Sequence, residues 1–580
     1  MIEKKEDRVD LKRWLPTTKK EMELRGWQDV DVVLFTGDAY IDHPSFGAAI
    51  IGRIIEDCGW KVAIVPQPDW HGDWRDFKKF GKPNKFFAVS AGVMDSMVNH
   101  YTAGKRLRHD DAYTPDGRHG ARPDRATIVY TKILKELYPD VPVVIGGIEA
   151  SLRRLAHYDY WDDEYKPSIL VDSGADLLLY GMGEKVMREV CRAFDNGGIE
   201  ACKRLRQVSY ISAERFEGED AVRLKSFEDC RKDRRVAVEN FKTIEQESNK
   251  LNDTVLVQRT GNVDIIVNPP FAPISTEELD AVHELPFTRL PHPKYKGKRI
   301  PAFDMIRWSV NTHRGCWGGC AFCTISMHQG KFIVSRSKES VLKEVRQITA
   351  DPEFKGYLSD LGGPSANMYM MRGRDEEKCR KCMRPSCAYP KICPNMDTDH
   401  GKLLELYRAV DELPGIKKSF IGSGVRYDVA MHETGDERID ANNRKYVDEL
   451  IARHVSGKLK VAPEHTSDKV LKLMRKPSFS LYYEFKKRFD HVNRMEGLKQ
   501  LLIPYFISSH PGCSMKEMNE LHETVKNIGV RLEQVQDFTP TPMTYATEMF
   551  HAGIDPYTGE KVFVERDLKK KGEQKGRFFV

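Results

Sequence analysis

Short apolar runs alternate with amphipathic stretches along the first third of the chain. "DVVLFTG" (31–37), "KVAIV" (61–65), "FFAVSAG" (86–92), "VPVVIGG" (141–147) and "ADLLLYGMGE" (175–184) are compact apolar runs with Gly nearby, which predicts strands. Between them, "FGAAIIGRIIEDCGW" repeats Ile50 with Ile54 and Ile51 with Ile55 at i, i+4, and "ATIVYTKILKELY" gives a second helix. Continuous apolar strands alternating with helices predict a parallel sheet covered on both faces. Ligands of such sheets bind at the carboxyl ends of the strands, here near Gly37, Gly92, Gly146 and Gly183. "GMGEKV" lacks the third glycine of a dinucleotide fingerprint, so NAD is not expected.

The pattern breaks after residue 200. A charge-rich stretch reads as helical, and "NPPFAPISTEELDAVHELPFTRLPHPKYKGKRIPAF" carries seven prolines and reads as an extended surface connection. Alternation then resumes. "MIRWSVNTHRG", "FKGYLSDLGG", "IKKSFIGSG", "GKLKVAPEH", "LKQLLIPYFISSH" and "RLEQVQDFTP" are six predicted strands separated by helical segments. Six strand–helix steps suit an open barrel and fall short of a closed eight. The expected division is an α/β domain at 1–200, a helical and proline-rich linker at 201–300, and a barrel at 301–540 with a Cys-rich insertion at 366–398. An extension with a basic tail follows at 541–580.

Composition narrows the class. Of 580 residues, 40% are apolar and 31% charged, as in a soluble globular protein, and the net charge of +6 gives little pull on anionic partners. The charged opening has no signal-peptide core and no run reaches the length of a membrane span, so a cytoplasmic location without membrane contact is expected. In such a compartment twelve cysteines are not read as disulfides. Seven of them fall within 316–393, which points to metal.

"HRGCWGGCAFCTISMHQG" (313–330) places Cys316, Cys320 and Cys323 four and then three positions apart. Two readings fit. Cys316, Cys320, Cys323 and either His313 or His328 could close a structural zinc site. Alternatively the three thiolates hold three irons of a 4Fe-4S cube and leave the fourth iron free.

"CWGGCAFC" resembles the CxxxCxφC signature of radical S-adenosylmethionine (SAM) enzymes, with Phe322 as the aromatic residue. "LPTTKKEMELRGW", "TGDAYIDHPSFG", "NPPFAPISTEELD", "RGCWGGCAFCTISMHQGKFIVSRS" and "SDLGGPSANMY" resemble, in order, the YgiQ-type family of radical SAM proteins. The resemblance implies a 4Fe-4S cluster on Cys316, Cys320 and Cys323, with SAM on the free iron. One-electron reduction would then release a 5′-deoxyadenosyl radical that abstracts hydrogen from a substrate the sequence does not name. It also implies a flavodoxin- or ferredoxin-like electron donor. By the same resemblance Gly362 and Gly363 occupy the place of a GGE motif that meets the methionyl amine, with Pro364 where the acid stands. Ser423 and Arg426 occupy a ribose- and carboxylate-contacting segment, Glu464 and His465 the next, and Ser508 to Gly512 the adenine-flanking turn.

"CRKCMRPSCAYPKIC" adds Cys379, Cys382, Cys387 and Cys393 as candidates for a second metal site, zinc or an auxiliary Fe-S cluster. The amino-terminal sheet resembles a cobalamin-binding-type, Rossmann-like domain. In "DHPSFG", however, His43 directly follows Asp42, unlike the usual DxHxxG pattern, so cobalamin is not expected, and His43 is read as capping the next helix or lining a cleft. The basic tail reads as solvated, with weak support for nucleic acid. Two alternatives remain at this point. One is a methylthio- or methyltransferase acting on RNA or protein, and the other a non-catalytic zinc-stabilised interaction protein.

Overall fold

The computed structural model describes residues 10–219, 221–529 and 535–579. The first nine residues and the opening of the sixth predicted barrel strand lie outside them.

The five predicted amino-terminal strands form at Val32–Thr36, Val62–Pro66, Phe86–Ser90, Val143–Gly146 and Leu177–Leu179. They pair in parallel, with Val32 opposite both Val62 and Phe86, Phe87 opposite Val143, and Val144 opposite Leu177. Numbered along the chain, their order is 2-1-3-4-5. That is the doubly wound arrangement, in which the strand order reverses beside the first strand. Side-chain alternation divides the apolar residues between two cores. Val33, Phe35, Phe87 and Ile145 pack on one face, whereas Val32, Leu34, Phe86 and Val144 pack on the other. Burial on both faces explains why these strands read as continuous apolar runs.

The stretch 201–300, expected as a helical and proline-rich linker, differs from that expectation. It adds four strands to the same sheet, Val208–Ser212, Val263–Val267, Val255–Thr260 and Ala221–Leu224, in that spatial order after Leu177–Leu179. Thr260 and Val263 close a hairpin around Gly261 and Asn262. The nine-stranded sheet therefore runs on past residue 200. The helix Arg234–Ser248 leaves this sheet and buries Ala237 and Phe241 in the core of the second unit.

That second unit is a partial (β/α)6 barrel. Ser309–Asn311 pairs in parallel with Asp360–Gly362, and Tyr357–Leu358 with Lys418–Ser419. A parallel bridge joins Val425 to Val461, and Lys458–Glu464, Leu501–Ser508 and Val535–Asp537 pair side by side. Helices Lys338–Thr349, Gly401–Asp411, Glu437–Arg453, Ser480–Met495 and Met515–Ile528 separate the steps.

The tail is not solvated as expected. Leu568–Gly576 is a helix that buries Lys571 and Gln574. Lys571 Nζ donates to Tyr160 Oη at 3.1 Å and to the Phe538 carbonyl at 3.2 Å, which ties the tail to both units. None of the described helices is long and apolar enough to cross a membrane.

Candidate functional site

The loop carrying Cys316, Cys320 and Cys323 is bracketed by a two-residue ladder, His313–Arg314 against Val334–Ser335, just after the first barrel strand. Its backbone is pinned from three sides. Cys316 N–H donates to the Gly330 carbonyl at 3.1 Å, Ala321 N–H to that of Met474 at 3.0 Å, and Ser326 Oγ to that of Cys316 at 3.0 Å. Gly319 has φ +57°, and a Cβ there would collide with the Pro385 carbonyl oxygen. Only glycine allows this turn and the close approach of the second cysteine loop.

Two of the three sulfurs are met by polar side chains. Ser365 Oγ lies 3.3 Å from Cys316 Sγ, and Arg426 Nη1 donates to Cys320 Sγ at 3.4 Å. Burial pushes the Cys323 thiol up to about 12, with the charges of Cys320, Cys316 and Glu464 adding to the effect. Burial also raises Cys316, and Arg426 opposes it. These influences place all three thiols, Arg426 and Glu464 in one neighbourhood. A positive guanidinium and a hydroxyl turned on sulfur stabilise thiolates, which is what iron ligation needs, so the residues fit a cluster. Among the described residues, no three His, Cys, Asp or Glu side chains converge on one point as a single ion requires.

Neither histidine closes a zinc site. His313 is fully buried, with Nε2 3.0 Å from the Ser365 carbonyl oxygen and Nδ1 2.9 Å from Thr312 Oγ1. Burial holds it near 4, so its ring is neutral. It supports the Ser365 backbone, one residue removed from sulfur. His328 instead lines the cavity between the two units, with Nδ1 unpartnered, and is also held near 4 by burial.

Arg426 clamps Asp428 through Nε, at 2.8 Å, and Nη2, so the expected carboxylate-binding fork is already occupied by this protein's own acid. Glu464 ends its strand with φ +70° after a bulge. Burial raises its carboxyl, and Lys476 Nζ stands 3.6 Å away. Gly362 closes the second barrel strand, and Gly363 follows it directly above the His313 ring. Ser423 Oγ packs over Gly362 and donates to Asp360. Asp360 also accepts the Gly422 and Ser423 N–H groups at 2.9 and 3.1 Å, and burial raises its carboxyl.

Asp360, Ser365, Asp428 and Lys476 were not singled out from the sequence. Asp360 had a signal, because a residue two before Gly362 on a strand points to the same face. Ser508 is not brought to the triad, since its hydroxyl donates to Asp537. His510, two residues on, stands edge-on to Phe322 at 6.1 Å.

Among the cavities that adjoin the triad loop, two bear on the expected sites. One, of about 330 Å³, lies where the carboxyl ends of the parallel strands face the barrel, and Ser90, Gly92, Gly146, Gly183, Arg314 and His328 line it. Arg314 crosses the gap to pair with Glu184. His43 does not line this cavity. Its Nδ1 accepts the Ser45 N–H at 3.1 Å, in the turn before the Gly47–Asp57 helix, which has no side-chain cap. The other cavity, of about 760 Å³, is lined by Cys379, Cys382, Cys387 and Cys393.

The radical SAM N-terminal family model matches residues 14–309, and a domain of unknown function (DUF3362) matches 533–578. A UPF0313 protein of Bacteroides thetaiotaomicron is 59% identical, with 98% of this chain and 94% of that protein covered. The UPF0313 protein of Porphyromonas gingivalis is 56% identical over 98% of this chain and 90% of its own length. The chain belongs to the UPF0313 family of radical SAM proteins. It is a radical SAM enzyme, working with a 4Fe-4S cluster and SAM, which sets aside the zinc-stabilised interaction protein. Among solved structures, the radical SAM methyltransferase TsrM of Kitasatospora setae, with cobalamin and a 4Fe-4S cluster bound, aligns at TM-score 0.49 and 12% identity. That alignment covers 95% of this chain and 90% of that one. The cobalamin-dependent SAM radical enzyme OxsB aligns at TM-score 0.45 and 11% identity, over 87% and 53%.

Proposed function

We propose that this UPF0313 protein holds its 4Fe-4S cluster on Cys316, Cys320 and Cys323 and binds SAM at the iron left without a thiolate. The observation that carries this reading is the set of three thiols in one loop, Cys316 buried and Cys320 and Cys323 half-buried, with Arg426 Nη1 on Cys320 and the Ser365 hydroxyl on Cys316. When bound, the cluster supplies the electron that splits the SAM sulfonium into methionine and a 5′-deoxyadenosyl radical, which takes a hydrogen atom from substrate.

The chain's own residues set the conditions. Arg426 offsets the negative charge of the thiolates while Asp428 fixes its orientation. Glu464 stands near Cys323, its carboxyl raised by burial and opposed by the charge of Lys476. Asp360 and Ser423 stiffen the turn over Gly362 and Gly363, where the methionyl end of SAM is expected to lie. The cavity between the units gives substrate an approach to the barrel face, with neutral His328 in its lining.

The missing DxHxxG pattern argues against a histidine–cobalt bond and against nothing else. The cavity at the carboxyl edge of a 2-1-3-4-5 sheet is the usual place for a cofactor, so the expectation against cobalamin has no remaining support. Cobalamin retained through desalting would add it to the cofactors.

Anaerobic reconstitution should give a brown protein whose reduced EPR signal changes on adding SAM, and the C316A/C320A/C323A variant should lose that signal. A SAM-responsive signal that survives in the variant would overturn the assignment. Deuterium transfer from labelled extract fractions into 5′-deoxyadenosine would support hydrogen abstraction. Accumulation of S-adenosylhomocysteine would favour the methyl- or methylthio-transfer alternative.

A further inference from the structure

The four cysteines at 379–393 line one cavity together with Trp317, Lys331 and Asn395. The loop is built around its thiols. Asn395 Nδ2 donates to Cys379 Sγ at 3.2 Å, and Lys331 Nζ donates to the carbonyls of Cys382 and Arg384 at 3.0 and 3.3 Å. A Cβ on Gly373 would collide with Cys379 Sγ. Soft thiolates of this number select zinc or iron–sulfur clusters. The thiols lie within electrostatic reach of one another: Cys382 and Cys393 act on Cys379, and Cys393, Cys382 and Cys379 on Cys387. A cluster takes each of four thiolates on a different iron, and the direct contact of this loop with the triad loop favours that redox-active group over a zinc ion.

The loop also touches the triad loop directly. Cys387 N–H donates to the Trp317 carbonyl at 2.9 Å, and Ser386 Oγ to that of Gly318 at 2.6 Å. Trp317 follows Cys316 in the chain and is only 1% exposed. Its packing cluster includes Cys316, with Cys387 and Cys393 set against it. Trp317 thus lies between the two cysteine groups, next to Cys316 in the chain and in the lining of the cavity that the other four share.

The outer side of the loop is basic. Residues 372–391 hold seven Lys or Arg against three acids, and each acid already faces a cation: Asp375 Lys378, Glu376 Arg372, and Glu377 Arg380. Arg374, Lys381 and Lys391 are exposed and have no carboxylate partner among the described residues, and Met383 beside them is 48% exposed. Such a rim attracts an acidic surface.

We propose that Cys379, Cys382, Cys387 and Cys393 bind a second iron–sulfur cluster that accepts single electrons from an acidic carrier protein docked on the basic rim. These electrons pass by way of Trp317 to the cluster on Cys316, Cys320 and Cys323. This rests on the assignment of the triad given above. In each transfer the carrier is oxidised by one electron and the second cluster reduced by one. The second cluster then returns to its oxidised state as the first is reduced, and no atoms move.

The test uses the full chain, reconstituted anaerobically. The C316A/C320A/C323A variant should keep about four irons per chain and an EPR signal indifferent to SAM. C379A/C382A should lose that signal and keep the SAM-responsive one. With reduced flavodoxin as donor, C379A/C382A should reduce the SAM-responsive cluster at least about tenfold more slowly, and K381E/K391E should do so in a salt-dependent way. Dithionite should reduce that cluster equally fast in wild type and K381E/K391E. Zinc in place of iron in the triad variant, or no metal there, would overturn the proposal, as would flavodoxin rates untouched by the Lys substitutions. RNA that binds the rim while those rates stay unchanged would overturn it too. The Lys variant keeps all seven cysteines and does not depend on C379A/C382A folding. Absence of any SAM-responsive signal in wild type would count against the triad instead.

Discussion

Arg426 divides its guanidinium between two partners: Nη1 rests on Cys320 Sγ at 3.4 Å, while Nε and Nη2 hold the Asp428 carboxylate. A cation beside sulfur favours the reduced, more negative state of a cluster bound there. R426Q in a D428N background, which avoids a stranded buried carboxylate, should lower the midpoint potential of the SAM-responsive signal. The drop should be on the order of 50 mV, close to a tenfold change in a one-electron equilibrium. EPR at poised potentials measures it. An unmoved potential would leave Arg426 as an ion-pair residue only.

Gly363 leaves no room for a side chain. An added Cβ would lie 2.6–2.8 Å from the His313 ring, which cannot retreat while both its nitrogens are hydrogen-bonded. G363A should therefore destabilise the barrel by about 1–3 kcal/mol and weaken SAM binding. Adding H313A should restore part of the SAM affinity, since the collision disappears. Calorimetric titration of SAM into wild type and both variants checks this. Equal losses in G363A and the double variant would count against it.

Glu548 is buried, its Oε2 has no hydrogen-bond partner, and burial raises its carboxyl from 4.5 to about 8. The folded chain therefore holds a proton that the unfolded chain releases between those values. Stability on this account falls as pH rises from 4.5 to about 8 and is level above. E548Q should remove the slope, raising stability at pH 8 by about 1–3 kcal/mol and leaving it little changed at pH 4.5. Thermal unfolding at the two pH values decides, and a parallel loss at both would show a packing role instead.

The parts legible in the sequence were those under a single strong constraint. Strands buried on both faces, such as Val32–Thr36 and Phe86–Ser90, appeared as unbroken apolar runs, and the triad showed in its spacing. Edge strands were harder to see. "VSYIS", "AVRL" and "VLVQRT" lie near one edge of the sheet with partly exposed positions, and their charged surroundings looked helical. The hairpin at "RTGNVD" was available, because a Gly between two β-branched runs is a turn signal. The tail misled because Lys571 counted as one more solvated lysine. Its burial depends on Tyr160, more than four hundred positions away, which no local pattern reports. Within the site, Asp428 was open to a local reading, two positions from its partner Arg426, whereas Lys476 matters through Glu464 at the end of a strand, which composition could not single out.

The strands at 208–267 also decide how this protein can be dissected. Cutting near residue 200 would strip Leu177–Leu179 of its neighbour Val208–Ser212 and expose a raw, wholly apolar sheet edge. Such an edge pairs with whatever strand it meets, so the separated amino-terminal piece would be expected to aggregate. The radical chemistry and the sheet beside it are thus inherited as one body, which neither recombination nor the bench can divide at its most obvious seam.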